Sequence, residues 1–192
     1  GLEPISLNAH IARLGTADPI VPAQNMGEVI EGFDIDRLGR APARFDAEDV
    51  KRLNARILHE MPYDTVADRL QEIGAPAQAA FWEAMRGNID TFADMKSILT
   101  LIHGPVTPVI APEDADYIAE AQAALPDAPF NLESWSVWTG QLKEVSGRKG
   151  RALFMPLRLA LTGQPHGPEM QHLLYHIGYD ETAARLAAGR KE

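Results

Sequence analysis

The sequence predicts an all-α protein composed of two small helical bundles behind a short N-terminal helical segment. Most stretches between turn signals carry apolar residues at three- and four-residue steps, the period of an amphipathic helix. Glycine and proline separate these stretches from one another. No stretch alternates β-branched or other apolar residues with polar ones as a half-buried strand would. About ten short helices, joined by glycine- and proline-containing turns, account for this pattern.

The helices predicted in the first half of the chain have recognisable starts and stops. Gly15 ends the first helix as a C-terminal cap residue. Asp46 starts another, because its carboxylate can accept from the free amides of the first turn. Pro62 ends that helix, and Pro76 stands at a first-turn position where proline is tolerated. The predicted helices cover residues 3–14, 26–31, 46–61, 63–73, 76–86 and 89–102.

The second half follows an extended, proline-rich linker, VTPVIAP, which predicts a boundary between packing units. The helices predicted beyond it cover residues 112–125, 132–145, a segment from 153 to 162 after a glycine-containing basic turn, a segment that starts near 169, and 179–188. Gly163 stops the helix that begins near Leu153, and two prolines stiffen the loop after it. The predicted segments of the chain are therefore residues 1–32, 33–107 and 112–192.

The composition excludes several classes of protein. An apolar fraction of 45% and a charged fraction of 23% are typical of a soluble globular protein. No apolar run reaches the roughly 18 residues that span a bilayer, so no membrane role is expected. The absence of cysteine excludes disulfides, thiolate zinc sites and thiol nucleophiles, and it suits a cytoplasmic protein. The chain starts without a methionine, so we expect Gly1 to be a cut within a longer polypeptide.

Charge is unevenly distributed. The net charge of −9 argues against a surface that coats nucleic acid wholesale, because phosphate neutralisation requires Lys and Arg. Residues 141–158 nevertheless carry a local net charge of +4, whereas residues 111–133 contain six acidic residues and no basic one. The positive residues of 141–158 are Lys143, Arg148, Lys149, Arg151 and Arg158. This basic strip is either a solvated helix face or a contact surface for a polyanion.

No catalytic or metal site is predicted. The sequence has no phosphate-binding P-loop, no GxGxxG turn after a strand and no HExxH motif. His172 and His176 share a helix face at i, i+4, but the spacing supplies no third ligand. We therefore expect neither catalytic residues nor a bound metal in these 192 residues.

Arg158 and two tryptophans are the remaining candidates for function. Trp135, Trp138 and Phe154 could stack on bases, but the helical spacing of the two tryptophans predicts that both belong to the core. Arg158 lies between Leu157 and Leu159 in a strongly apolar helix. It is either a buried structural arginine paired with a carboxylate, or a guanidinium that packing holds for bidentate recognition of a base edge or a phosphate.

Three stretches resemble the C-terminal part of bacterial glutamyl-tRNA synthetases. SGRKGRALFMPLRLALTGQPHGPEM, residues 146–170, is similar to that family's signature in a dozen positions in register. EPISLNAHIARLG, residues 3–15, resembles the end of the stem-contact region, and residues 33–58 resemble the segment after it. The resemblance implies two helical-bundle subdomains that bind the anticodon, preceded by a helical remnant of the stem-contact region. The catalytic signatures of the family are absent from these residues.

The resemblance also implies which residues contact RNA. Arg158 corresponds to an arginine that hydrogen-bonds an anticodon base, and Gly167, Pro168 and Met170 correspond to the loop that packs on the anticodon nucleotides. Arg56 and His59 fall on the anticodon-facing helix of the first subdomain. The basic residues at the start of the signature are additional expected contacts: Arg148, Lys149 and Arg151.

The expected partner is tRNA for glutamate and, in some forms of the family, for glutamine. A monomer is expected. The whole enzyme would ligate glutamate to tRNA with ATP and Mg²⁺, neither of which this part is expected to bind. The alternative is a helical module that binds other proteins and no RNA. It predicts no salt-dependent RNA binding and an exposed apolar patch elsewhere on the chain.

Overall fold

The computed structural model describes residues 1–40 and 42–188. Every regular element in this part of the chain is a helix, so the all-α prediction is confirmed. The chain divides into two compact units, Gly1–Lys96 and Ser97–Glu192. The predicted segments 1–32, 33–107 and 112–192 stay predictions of subdomain organisation. Residue 41, in the second of them, and residues 189–192, in the third, lie outside the described residues.

The α-helices of the described residues are short, as the spacing of glycine and proline predicts. In chain order they are α1 (Pro4–Arg13), α2 (Met26–Glu31), α3 (Ala47–Glu60), α4 (Ala67–Glu72), α5 (Ala79–Met85), α6 (Met95–His103), α7 (Ala115–Ala123), α8 (Ser134–Ser146), α9 (Arg151–Thr162), α10 (Met170–Ile177) and α11 (Tyr179–Ala188). None of these helices is long and apolar enough to cross a bilayer.

The first unit is built around α3. Asp46 caps this helix as predicted, with its carboxylate accepting from the amide of Glu48 at 2.8 Å. The apolar face of α3 is buried, and the helix packs against α1. Trp82 is part of this core, and its indole N–H donates to the carbonyl of Met61 at 2.7 Å. Burial of the ring is therefore not opposed by an unpaired donor.

The second unit is built around α9. The inward face of this helix comprises Leu153, Leu157 and Leu161, all buried. Trp138 on α8 is completely buried beside them, and its indole N–H donates to the carbonyl of Ala121 at 2.9 Å. The prediction that Trp138 is a core residue is therefore confirmed.

Several α-helices begin later than the sequence pattern predicts, and α6 shows the largest difference. The helix predicted over 89–102 starts at Met95, after a 3₁₀ turn over Phe92–Asp94. The carboxylate of Asp94 accepts from the amide of Thr91 at 2.7 Å, which forms a capping box. The cap fixes the start of the helix at this point, and Ile89 is buried in an extended conformation before it.

Candidate nucleic-acid interface

Arg148, in the basic turn before α9, donates to a carbonyl that a proline inside α9 leaves without its helical partner. Pro156 has no N–H, so the carbonyl of Ala152 lacks its usual helical partner. The Nη1 atom of Arg148 donates to that carbonyl at 3.3 Å. The same nitrogen pairs with the carboxylate of Asp114. Arg148 thus supplies the hydrogen bond that the carbonyl of Ala152 lacks within the helix, and it holds the turn in place.

Arg148 also packs on Tyr117 of α7. Its guanidinium carbon lies 4.2 Å from the centre of the tyrosine ring. Burial raises the pKa of Tyr117 to about 12, and the nearby positive charge of Arg148 opposes that rise. The hydroxyl of Tyr117 donates to the carbonyl of Leu153 at 2.8 Å. These contacts make Arg148 a brace between α7 and the start of α9.

Arg158 is half-buried and has no carboxylate partner among the described residues. Its Nη1 atom donates to the carbonyl of Pro168 at 2.9 Å. Its Nε and Nη2 atoms are shielded from solvent and have no hydrogen-bond partner in the described part of the chain. Burial lowers the pKa of the guanidinium. The interpretation of Arg158 as a structural arginine paired with Asp or Glu is therefore wrong, and two of its donor atoms are left for another acceptor.

The loop over residues 164–168 is shaped around Arg158. The hydroxyl of Thr162 donates to the carbonyl of Arg158 at 2.7 Å, and the amide of Gln164 donates to that hydroxyl oxygen at 3.1 Å. Gly167 has φ of +135°, and a β-carbon there would lie 2.9 Å from Nη2 of Arg158. Only glycine permits this backbone to approach the guanidinium so closely.

An open cavity of about 500 Å³ lies beside Arg158, and we call it the α9 cavity. Its lining residues are Trp135, Arg151, Phe154, Met155, Arg158, Glu169, Met170 and Gln171. The rings of Trp135 and Phe154 lie 6.2 Å apart with 35° between their planes. The cavity thus combines flat apolar faces with guanidinium donors, a combination suited to an unstacked nucleobase.

Comparison with known proteins assigns the chain to a family. The family model described as an anticodon binding domain matches residues 52–190. The chain belongs to the anticodon-binding domain family. The resemblance to the anticodon-binding part of glutamyl-tRNA synthetases is confirmed by that match and by the curated relatives.

Two relatives illustrate the likeness. Glutamate–tRNA ligase 1 of Maricaulis maris is 51% identical over 187 residues, which is 97% of this chain and 42% of that protein. Glutamate–tRNA ligase 1 of Parvibaculum lavamentivorans is 46% identical over 186 residues, which is 97% of this chain and 41% of that protein. The chain thus spans about two fifths of the length of these relatives.

A solved structure shares the fold. The glutamate–tRNA ligase of Elizabethkingia meningosepticum, solved in complex with its amino acid, superposes with a TM-score of 0.80 at 24% identity. The superposition covers 98% of this chain and 41% of that one.

The matched anticodon-binding domain contains all the predicted contact residues, and the structure groups some of them. Arg151, Arg158 and Met170 line the α9 cavity, and Gly167 and Pro168 contact Arg158. Lys149 is exposed at the end of the basic turn. Arg148 is nearby in sequence, but its donors are engaged by Asp114 and Ala152.

Arg56 and His59, the two predicted contact residues on α3, belong to the first unit. Arg56 is exposed, and its Nη1 atom lies 3.3 Å from the carbonyl of Ile20, to which it donates. His59 is half-buried with its Nε2 atom 2.9 Å from the carbonyl of Ile89, so the tautomer that carries the proton on Nε2 is favoured. Neither residue is among those that line the α9 cavity.

The sequence interpretation missed part of the site. Trp135 was predicted as core, but it is only partly buried and lines the cavity, so that prediction is wrong. Met155 and Glu169 were not singled out as lining residues, whereas Phe154 was considered as a ring that could stack on a base. A signal was present, because Arg151, Phe154, Met155 and Arg158 are spaced three and four residues apart and so share one face of α9.

Among residues 1–40 and 42–188, no three His, Asp or Glu side chains are arranged to hold a metal ion.

Proposed function

We propose that this chain recognises the anticodon arm of tRNA as the anticodon-binding part of a glutamate–tRNA ligase. The α9 cavity receives an unstacked anticodon base. Trp135 and Phe154 supply faces on which the base stacks, and Arg158 donates to its edge. The expected RNA is tRNA for glutamate, or tRNA for glutamate and glutamine in a form with relaxed specificity.

The observation that carries this proposal is the state of Arg158. Two of its donor atoms, Nε and Nη2, are shielded from solvent and lack a partner. This arrangement is unfavourable, because each unmet buried donor costs roughly 1–3 kcal/mol. A base that supplies acceptors would remove that cost. Since both atoms are shielded in the free chain, the side chain must turn into the cavity, or the loop over 164–168 must shift, when the base enters.

Phosphate contacts supply the remainder of the binding free energy. Lys149 and Arg151 are exposed at the start of α9, close in sequence to the residues that line the cavity. Contacts of this kind fix the register of the RNA without reading its sequence. Arg148 contributes mainly by holding the turn that presents these two side chains.

The proposal extends to the protein that contains this chain. Such a protein would be a monomeric cytoplasmic ligase that joins glutamate to tRNA with ATP and Mg²⁺. That chemistry belongs to residues other than these 192, among which no catalytic group is expected. Two relatives support this extension, because both are glutamate–tRNA ligases, and the chain matches 42% and 41% of their length.

Titration with RNA tests the proposal. The chain is mixed with a labelled anticodon stem-loop of tRNA for glutamate, and fluorescence anisotropy is measured at 50 and 200 mM salt, about the range over which such contacts weaken. We expect binding that weakens steeply with salt and that favours the cognate loop over one with a scrambled anticodon. Equal, salt-independent binding of both loops, or none, would contradict the proposal.

The protein-binding alternative has one supporting observation. Ten of the large apolar side chains that are exposed in the described residues lie between Leu2 and Phe45, outside the matched family domain. They would suit a contact with protein. They do not compete with the RNA proposal, because the α9 cavity is built from residues of the second unit.

A further inference from the structure

A second arginine is more deeply buried than Arg158 and has a full set of partners. The side chain of Arg185, on α11, is 3% exposed. Its Nη1 atom donates to the carbonyls of Leu101 at 2.7 Å and Leu161 at 2.8 Å, and its Nη2 atom donates to the carbonyl of Ile102 at 3.2 Å. Its Nε atom pairs with the carboxylate of Glu181 at 2.7 Å. Among the described residues, no other arginine side chain donates to as many carbonyls.

The carbonyls that Arg185 binds lie at the C-terminal ends of two helices. Leu101 and Ile102 belong to the last turn of α6, and Leu161 belongs to the last turn of α9. The last four carbonyls of a helix have no partner within it, and they carry the negative end of the helix dipole. A planar, charged group with several donors can satisfy two such ends at once, whereas a lysine ammonium cannot span them.

The end of α9 is also the point to which the loop over 164–168 is attached. Thr162 follows Leu161 and bonds to the carbonyl of Arg158 and the amide of Gln164. The linker after α6 runs alongside, with the amide of Val109 donating to the carbonyl of Leu159 at 3.1 Å. Gly163 admits this linker, since a β-carbon there would lie 2.7 Å from the carbonyl oxygen of Thr107.

We propose that Arg185 is a positioning residue for the α9 cavity. It fixes the last turn of α9 against α6 and α11, and the loop that holds Arg158 through the carbonyl of Pro168 is placed by that turn. Arg185 does not touch the RNA. The inference rests on the proposed function, because its effect is on how Arg158 meets an anticodon base.

A double-mutant cycle tests this role. Dissociation constants for the cognate stem-loop are measured for the unaltered chain, Arg185→Lys, Arg158→Ala and the double variant, well below their unfolding temperatures. We expect Arg185→Lys to weaken binding about tenfold with the salt dependence unchanged, because a small displacement of a recognition group costs on that order. In the Arg158→Ala background the same change should cost less than about twofold, since sites in one network are not additive.

Two further variants control the cycle. Arg69→Lys makes the same change at a partly buried arginine that is paired with Glu3 in the first unit, and it should leave RNA binding unchanged. Glu181→Gln removes only the negative charge of the group that accepts from Nε, on a side chain that is 46% exposed, and serves if Arg185→Lys does not fold. We expect a smaller loss of affinity for Glu181→Gln, again absent when Arg158 is alanine.

The outcomes separate this inference from the proposed function. Equal losses in both backgrounds, or an unchanged affinity with lower stability, would overturn the positioning role and leave the RNA proposal intact. If the unaltered chain does not prefer the cognate loop over the scrambled one, both proposals fail.

Discussion

Arg158 is the side chain whose replacement should change base discrimination. Arg158→Ala removes the donors that meet the base edge, so affinity for the cognate stem-loop should fall by about 1–3 kcal/mol. Loops with an altered anticodon base should lose much less. Anisotropy titrations with both loops measure the difference, and equal losses for the two RNAs would show that Arg158 does not read a base.

Gly167 gives a test of the geometry around that arginine. Gly167→Ala places a β-carbon 2.9 Å from Nη2 of Arg158 at a backbone φ of +135°. We expect the free energy of unfolding to fall by about 1–3 kcal/mol, the usual cost of a residue held in a disfavoured conformation. Urea denaturation followed by circular dichroism measures it.

Gly140→Ala is the matched control for that substitution. Gly140 lies within α8, has ordinary helical φ, and has open space where the β-carbon would go. The same glycine-to-alanine change should therefore stabilise the chain by roughly 0.5–1 kcal/mol. If both variants shift stability in the same direction, the close approach of the loop to Arg158 is not as described.

Among the helices, the junction of α6, α9 and α11 depends on Arg185. Arg185→Met keeps the apolar stem and removes the donors, which leaves two buried helix ends unsatisfied. The free energy of unfolding should fall by about 3–5 kcal/mol, as when one partner of a buried charged network is removed. Arg151→Met, at an exposed site, should change it by less than about 0.5 kcal/mol. Comparable values for the two would contradict the capping role.

Helix α10 should make stability depend on pH. Burial lowers the pKa of His176 below its ordinary value, and the charges of His172 and His103 lower it further. The unfolded chain therefore takes up the proton more readily, and the free energy of unfolding should decrease as the pH falls below about 6.5. His176→Gln should reduce that decrease in urea titrations between pH 5 and 8, whereas His166→Gln, in the exposed loop, should not.

The sequence predicts helices well and their mutual contacts poorly. Caps, stops and apolar spacing are local signals, so the sequence predicts the cap at Asp46, the helix end at Gly163 and the helix over 179–188. The bonds of Arg148 and Arg185 join residues 34 and 84 positions apart, and no local pattern reports them. The prediction that Trp135 is a core residue is wrong for the same reason. Helical spacing indicates which side chains share a face but not what covers that face.

For the molecule as a whole, RNA affinity should depend on where the positive charges lie and not on the net charge of the chain. The chain is acidic overall, yet residues 141–158 are basic, so Lys149→Ala should weaken all RNAs alike and reduce the slope of log affinity against log salt by about one. Arg37→Ala removes a positive charge from the first unit and should leave the slope unchanged. Identical effects of the two would indicate a purely non-specific attraction.

Methionine methyl NMR locates the bound RNA most directly. The chain contains six methionines; Met155 and Met170 line the α9 cavity, whereas Met26 lines an apolar groove in the first unit. On addition of the cognate anticodon stem-loop, the signals of Met155 and Met170 should shift while that of Met26 stays in place. Shifts at Met26 without shifts at Met155 and Met170 would contradict an anticodon base bound in the α9 cavity.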